Sequence, residues 1–207
     1  LVVHHTSDQH PWFQEARRDP GSRFRDFYVW TKEPPETPPG RGNIFPGEES
    51  SVWTFDEEAD AYYHHRFYSF QPTLNHTNPE VRREVEKVLG FWLQLGVAGF
   101  RVDAASHMIE PKGGLERTRA DDPHGILRSY REFVTLRRGD AVLLGEADEK
   151  PEEMARFFGD GDELNLLFNF LLDNHLFLAL ARHEAEPLET GLKILPSIPV
   201  QAQWVNF

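Results

Sequence analysis

Cysteine is absent from the chain, which excludes disulfide stapling and thiolate catalysis. That absence fits cytosolic and cysteine-poor secreted proteins alike; a cytoplasmic location is the expectation. Basic residues are scarce beside acidic ones, 22 against 34, for a formal net charge of -12. No Lys/Arg cluster is large enough to track a phosphate backbone, so nucleic acid is not an expected partner. Long apolar runs are missing as well. The best candidate, residues 164 to 180, is interrupted by Asn165, Asn169, Asp173, Asn174 and His175 and falls short of the roughly 20 apolar residues of a membrane span. Neither a methionine nor a signal segment precedes Leu1, and both ends, Leu1-Val2-Val3 and Trp204-Val205-Asn206-Phe207, read as strands, so a segment of a longer chain is expected. What is present is a chain of 207 residues, 39% hydrophobic and 13% aromatic, enough for about one domain with a polar insertion.

Residues 6 to 73 alternate turn-rich pieces, such as Asp19-Pro20-Gly21-Ser22 and Pro34-Pro35-Glu36-Thr37-Pro38-Pro39-Gly40, with aromatic ones. This predicts an irregular subdomain of short strands and turns, with at most a short helix from His10 to Ala16. Regularity follows. Asn78 can cap a helix with Pro79 at its first position, and Val81, Val85, Val88, Leu89, Trp92 and Leu93 form its expected buried stripe before Gly96. Strands are expected at 1 to 4, 97 to 104, 141 to 146, 164 to 170 and 202 to 207, and helices at 126 to 136, 151 to 158 and 175 to 195. Apolar strands alternating with helices argue for a parallel sheet covered by helices, open or closed.

The chemistry concentrates in Gly99-Phe100-Arg101-Val102-Asp103-Ala104-Ala105 and Gly145-Glu146-Ala147-Asp148, which supply two acids at strand ends. Period-two alternation sets Arg101 and Asp103 on the face opposite Phe100 and Val102. A fixed cation beside a carboxyl favours its ionised form. Pattern alone leaves a catalytic carboxylate and a buried structural ion pair equally open at Asp103.

These two runs, with Leu1-Val2-Val3-His4-His5-Thr6-Ser7 and Gln71-Pro72-Thr73-Leu74-Asn75, stand in the order and at about the spacing, near 70, 30 and 40 residues, of four motifs of the alpha-amylase family of glycoside hydrolases, which the chain resembles. The resemblance implies a partial (β/α)8 barrel running from about its third strand to its seventh, with residues 1–5 and 71–207 as barrel and 6–70 as a long irregular insertion after the third strand. A whole barrel takes roughly 250 residues, so this length implies an incomplete one. It implies Asp103 as nucleophile, Arg101 as the cation orienting it, and Glu146 as general acid/base, with Asp148 a lesser alternative. His5 and His107 would contact the sugar; Tyr62, Phe67 and Phe70 are candidates for the pocket rim, the other aromatics serving the insertion's own core. The family's third carboxylate, after the seventh strand, does not occur before Phe207, so the segment by itself is expected to be inactive and poorly folded.

Departures from the family pattern carry information. His4 stands where calcium-binding members have an asparagine, which lowers the case for calcium; no cofactor or metal is expected here, and calcium only weakly in a parent protein. Ser106 replaces a common lysine, favouring short substrates, and Thr73 replaces an aspartate frequent in the glucosidase-like members. Within the family, His10-Pro11-Trp12-Phe13, Phe27-Tyr28-Val29-Trp30 and Arg66-Phe67-Tyr68 are most similar to the trehalose synthase and alpha-glucosidase branch. The implied activity is a retaining interconversion of maltose and trehalose, small alpha-glucosides; hydrolysis by an alpha-glucosidase or alpha-amylase is the alternative, and a noncatalytic sugar-binding barrel another.

Overall fold

Asn78 opens the longest helix by accepting the Glu80 amide on its side-chain oxygen at 2.9 Å, and Pro79 supplies a pre-set φ where no amide is needed. The resulting helix belongs to a computed structural model that describes residues 2–36, 42, 44–45 and 47–206. Its elements are α1 (Pro11–Arg18), β1 (Trp30–Thr31), β2 (Trp53–Asp56), β3 (Ala61–His64), α2 (Pro79–Gln94), β4 (Gly99–Val102), α3 (Ala105–Ile109), α4 (His124–Arg137), β5 (Val142–Gly145), α5 (Pro151–Met154), β6 (Leu166–Phe168), α6 (Phe170–Arg182), α7 (Glu186–Ile194) and β7 (Gln203–Val205), with four short 3-10 turns between them.

The chain forms two compact units, residues 2–88 with 107–126, and residues 89–106 with 127–207. The second is built on a parallel sheet of order β4-β5-β6-β7. Phe100 and Val102 of β4, Leu143 of β5 and Leu167 of β6 are buried in it, as continuously apolar strands require. Gly145, paired with Val102 on one side and Leu167 on the other, is a close-approach glycine: a Cβ there would lie 2.2 Å from Leu164 Cδ1. The first unit carries an antiparallel sheet of order β1-β3-β2. An aromatic core of Phe13, Phe27, Tyr28, Trp30 and Tyr63 packs with Leu74 and Val81, Phe13 lying flat on Trp30 at 5.5 Å. Most aromatics among residues 6–70 therefore serve local packing.

Several sequence expectations are corrected. Residues 2–4 form no strand: the His4 carbonyl accepts from Leu74 and the Thr6 amide donates to Pro72, leaving one isolated bridge, His5 to Thr73. A ladder needs a neighbour in register over several residues, and here the parallel sheet has four strands rather than five. The helix expected at 175 to 195 is two. Asn169 caps α6 at Phe170 by accepting the Leu172 amide, and His183 ends it in the left-handed region at φ 56 before α7 starts at Glu186-Pro187. On α2 the buried stripe is narrower than expected, with Val81, Val85 and Leu89 inside and Val88 and Trp92 more than a third exposed. Residues three, four and seven apart share one helix face, so Val88 and Trp92 belong to the same apolar face, of which only the line through Val81, Val85 and Leu89 is buried here.

Candidate active site

At the carboxyl ends of β4 and β5 one arginine holds two acids. Arg101 Nη1 donates to Asp103 Oδ1 at 2.6 Å and Nη2 to Glu146 Oε2 at 2.6 Å. Alternation along β4 produces this: Phe100 and Val102 turn into the core while the Arg101 side chain, 43% exposed, and Asp103, 21% exposed, stand on the other face. The parallel register pairs Arg101 with Leu144 and Val102 with Gly145, which brings the next residue, Glu146, beside Asp103. Backbone bonds lock the step, Glu146 donating to the Val102 carbonyl at 3.1 Å and accepting from the Ala105 amide at 2.8 Å. Ala104 turns the chain there in the left-handed region, φ 50. Phe168, at the end of β6, lies 5.9 Å from the guanidinium carbon.

A guanidinium's terminal nitrogens are about 2.3 Å apart, so the two bound oxygens are separated by no more than about 7.5 Å, a bound that includes the roughly 5 to 5.5 Å of a retaining carboxylate pair. Both acids remain reachable by solvent. One carboxylate can attack and the other can move a proton, with the shared cation orienting both.

The other predicted residues lie in the first compact unit. His5, Phe67 and His107 come together there with His4: Phe67 is 5.3 Å from His4, 5.4 Å from His5 and 5.9 Å from His107, ring centre to ring centre, all edge to face. Gln71 Nε2 lies 3.0 Å from His5 Nε2, and Glu110 Oε1 3.0 Å from His107 Nδ1. Arg66 reaches His107 and Glu110, each at 3.4 Å. Tyr62 is not in this cluster; its ring packs on Phe55 at 5.1 Å. Phe70 is also outside it, half exposed and stacked on Tyr68 at 5.2 Å, which in turn stacks on Phe45. Sequence reasoning passed over Glu110 and Gln71 as site residues. The three-residue spacing of His107 and Glu110 is the helical signal for the first; no local signal marks the second.

Beneath this cluster lies a buried group of imidazoles around Lys112, whose ammonium donates to the His107 and Met108 carbonyls. Burial first, then the Lys112 charge, hold His4 and His64 well below the ordinary imidazole range, and the same causes take His76 down to about 3. Glu110 is pushed up by burial, but its His107 hydrogen bond and the charges of His107, Lys112 and Arg66 outweigh that and leave it below the usual range. Thr73 is buried and accepts the Arg66 amide on its hydroxyl, so the residue standing in place of an aspartate supports the backbone. Calcium does not fit at His4: the ring lies against His5, Nδ1 to Nδ1 at 3.3 Å, and feels the Lys112 charge, where a hard cation needs oxygen ligands. Among the described residues no three His, Asp or Glu side chains are placed to hold a metal ion.

The family profile described as "Alpha amylase, catalytic domain" matches residues 1–193. The chain belongs to the alpha-amylase family. It is 44% identical over 208 residues to the trehalose synthase of Thermus thermophilus, covering all of this chain and 21% of that protein. It is 40% identical over 211 residues to a trehalose synthase/amylase of Mycolicibacterium smegmatis, covering all of this chain and 35% of that one. The crystal structure of an alpha-amylase from H. orenii superposes with a TM-score of 0.77 at 29% identity, over 92% of this chain and 36% of that one. The chain thus spans a fifth to about a third of these relatives. Its fold is a partial (β/α)8 barrel, and β4 to β7 are successive parallel strands of an alpha-amylase family enzyme.

Proposed function

We propose that the protein carrying this chain is a retaining alpha-glucoside transglycosylase of the trehalose synthase type, converting maltose to trehalose by double displacement. The observation that carries the reading is the single guanidinium at 2.6 Å from both Asp103 and Glu146 on neighbouring strand ends. Asp103 attacks the anomeric carbon while Glu146 protonates the departing glycosidic oxygen; Glu146 then takes the proton of the acceptor hydroxyl as that oxygen displaces Asp103. Arg101 positions both and spreads its charge across them. His5, Phe67 and His107 hold the glucosyl unit through ring edges and imidazole nitrogens, Phe70 offers its exposed face at the rim, and Tyr62, packed on Phe55, is the weakest of these assignments. Residues 1–5 and 71–207 are assigned to the barrel and 6–70 to the insertion, and a cytoplasmic location belongs to the same proposal.

The names of the two relatives support transfer between small alpha-glucosides as the reaction. The second name includes amylase, and the H. orenii structure is an alpha-amylase, which supports hydrolysis as the competing reading. Maltose incubated with the full-length protein separates them. Trehalose with some glucose is the expected product list; glucose alone assigns a glucosidase, and starch cleavage without reaction on maltose an amylase. Products of inverted anomeric configuration, measured before mutarotation, would overturn double displacement.

A further inference from the structure

In the unit of residues 2–88 and 107–126, a half-open cavity of about 300 Å³ is lined by two arginines, Arg25 and Arg117. Arg25 is held flat by its surroundings: its guanidinium carbon lies 3.9 Å from the Trp30 ring centre, and Nη1 donates to the Ala16 carbonyl at 2.8 Å. Arg117 donates from Nη2 to the Trp30 carbonyl. Each guanidinium has five N–H donors and spends one on these bonds, so most of both forks stay available. Neither is in an ion pair among the described residues. The one acid among the lining residues, Asp26, is solvent-exposed; its carbonyl accepts from Asn75 and Asn78, and its carboxylate acts on the Arg25 charge without an ion-pair contact.

Two pre-oriented forks without an ion-pair contact among the described residues, in one cavity, are unusual on a chain whose formal net charge is -12, because the surrounding field repels anions in general. Guanidinium forks match the oxygen spacing of phosphate and carboxylate, and a fork fixed on an aromatic loses little freedom on binding. Arg25 covers one face of Trp30, which removes that face as a stacking platform for a bare sugar. The volume exceeds what an inorganic phosphate fills and reaches the lower end of small-molecule sites. Burial pushes the Arg25 guanidinium down, with Asp26 and Asp56 pushing back, a setting that a bound anion would relieve.

The geometry points to this cavity as a binding site for a phosphate monoester of sugar size, with Arg25 and Arg117 gripping the phosphate and Asn75 beside the sugar. It stands independently of the proposed reaction. The test is calorimetric titration of the full-length protein with glucose 6-phosphate, inorganic phosphate, acetate and glucose, repeated on Arg117→Gln and Arg25→Lys, each checked for an unchanged melting temperature. Arg117→Gln is the cleaner variant, because that side chain is exposed and makes one hydrogen bond. Saturable binding of glucose 6-phosphate, tighter than phosphate and lowered tenfold or more in both folded variants, is the expected result. No binding at millimolar concentration, binding undiminished in Arg117→Gln, or acetate binding as tightly as phosphate would overturn it.

Discussion

Asp103 and Glu146 share one cation but are asked for different things, and substitution separates them. On the proposed mechanism Asp103→Asn removes the nucleophile that every substrate needs, so turnover of maltose and of an activated aryl glucoside should both fall to background. On the same mechanism Glu146→Gln removes the proposed proton donor, a loss of about 10²- to 10⁴-fold on maltose, while the first step on a leaving group that needs no proton is largely spared. Burst kinetics with a nitrophenyl glucoside reads the difference; equal losses on both substrates would count against Glu146 as the acid. Arg101→Lys keeps the charge and loses the fork, so only one of the two 2.6 Å bonds can be remade in place. Because the arginine side chain is 43% exposed, the expected cost is moderate, about tenfold to a hundredfold, in kcat with KM little changed. A rise in KM alone would assign Arg101 to substrate binding instead.

At the scale of elements, the site depends on how tightly β5 meets β6. Gly145→Ala places a methyl against Leu164 and Leu167, where an added Cβ would stand 2.2 Å and 3.1 Å from their terminal carbons. Overpacking of this kind costs about 1 to 3 kcal/mol, and the strand shift that relieves it moves Glu146, the next residue. Urea denaturation should show the stability loss and steady-state kinetics a fall in kcat beyond it; wild-type values in both would mean that β5 accommodates the methyl without moving its end. The elements themselves were readable where sequence carries local signals: Asn78-Pro79 opens α2, and the apolar runs give β4, β5, β6 and β7 close to their observed bounds. The broken α6–α7 helix was not readable, because the backbone turn at His183 puts a non-glycine residue in the left-handed region.

Across the molecule, acid stability should follow the buried histidines. His4, His64 and His76 are neutral in the folded state well below the point, near 6.5, at which they bind protons unfolded. Protons are therefore taken up on unfolding, and stability falls as pH drops below about 6.5 by about 1.4 kcal/mol per pH unit for each histidine still neutral, continuing to about 3 for His76. Urea midpoints of the full-length protein at pH 7.5, 6 and 5 would show it; equal midpoints throughout would mean that these imidazoles are not buried in solution. The histidines also mark where sequence reading ends. Composition, alternation and motif order determined an acidic chain without cysteine, its α/β class, its family, and the strand ends that carry Arg101, Asp103 and Glu146, because those properties are local or repeat along the chain. Only the tertiary structure decided that Arg101 divides its fork between two acids 43 positions apart in number, Asp103 and Glu146, that His4, Phe67 and His107 share one cluster while Tyr62 does not, and that residues 2–4 bridge rather than pair as a strand. Contacts between residues distant in sequence are chosen by packing and by which backbone groups find partners, and neither is written in a residue's neighbours along the chain.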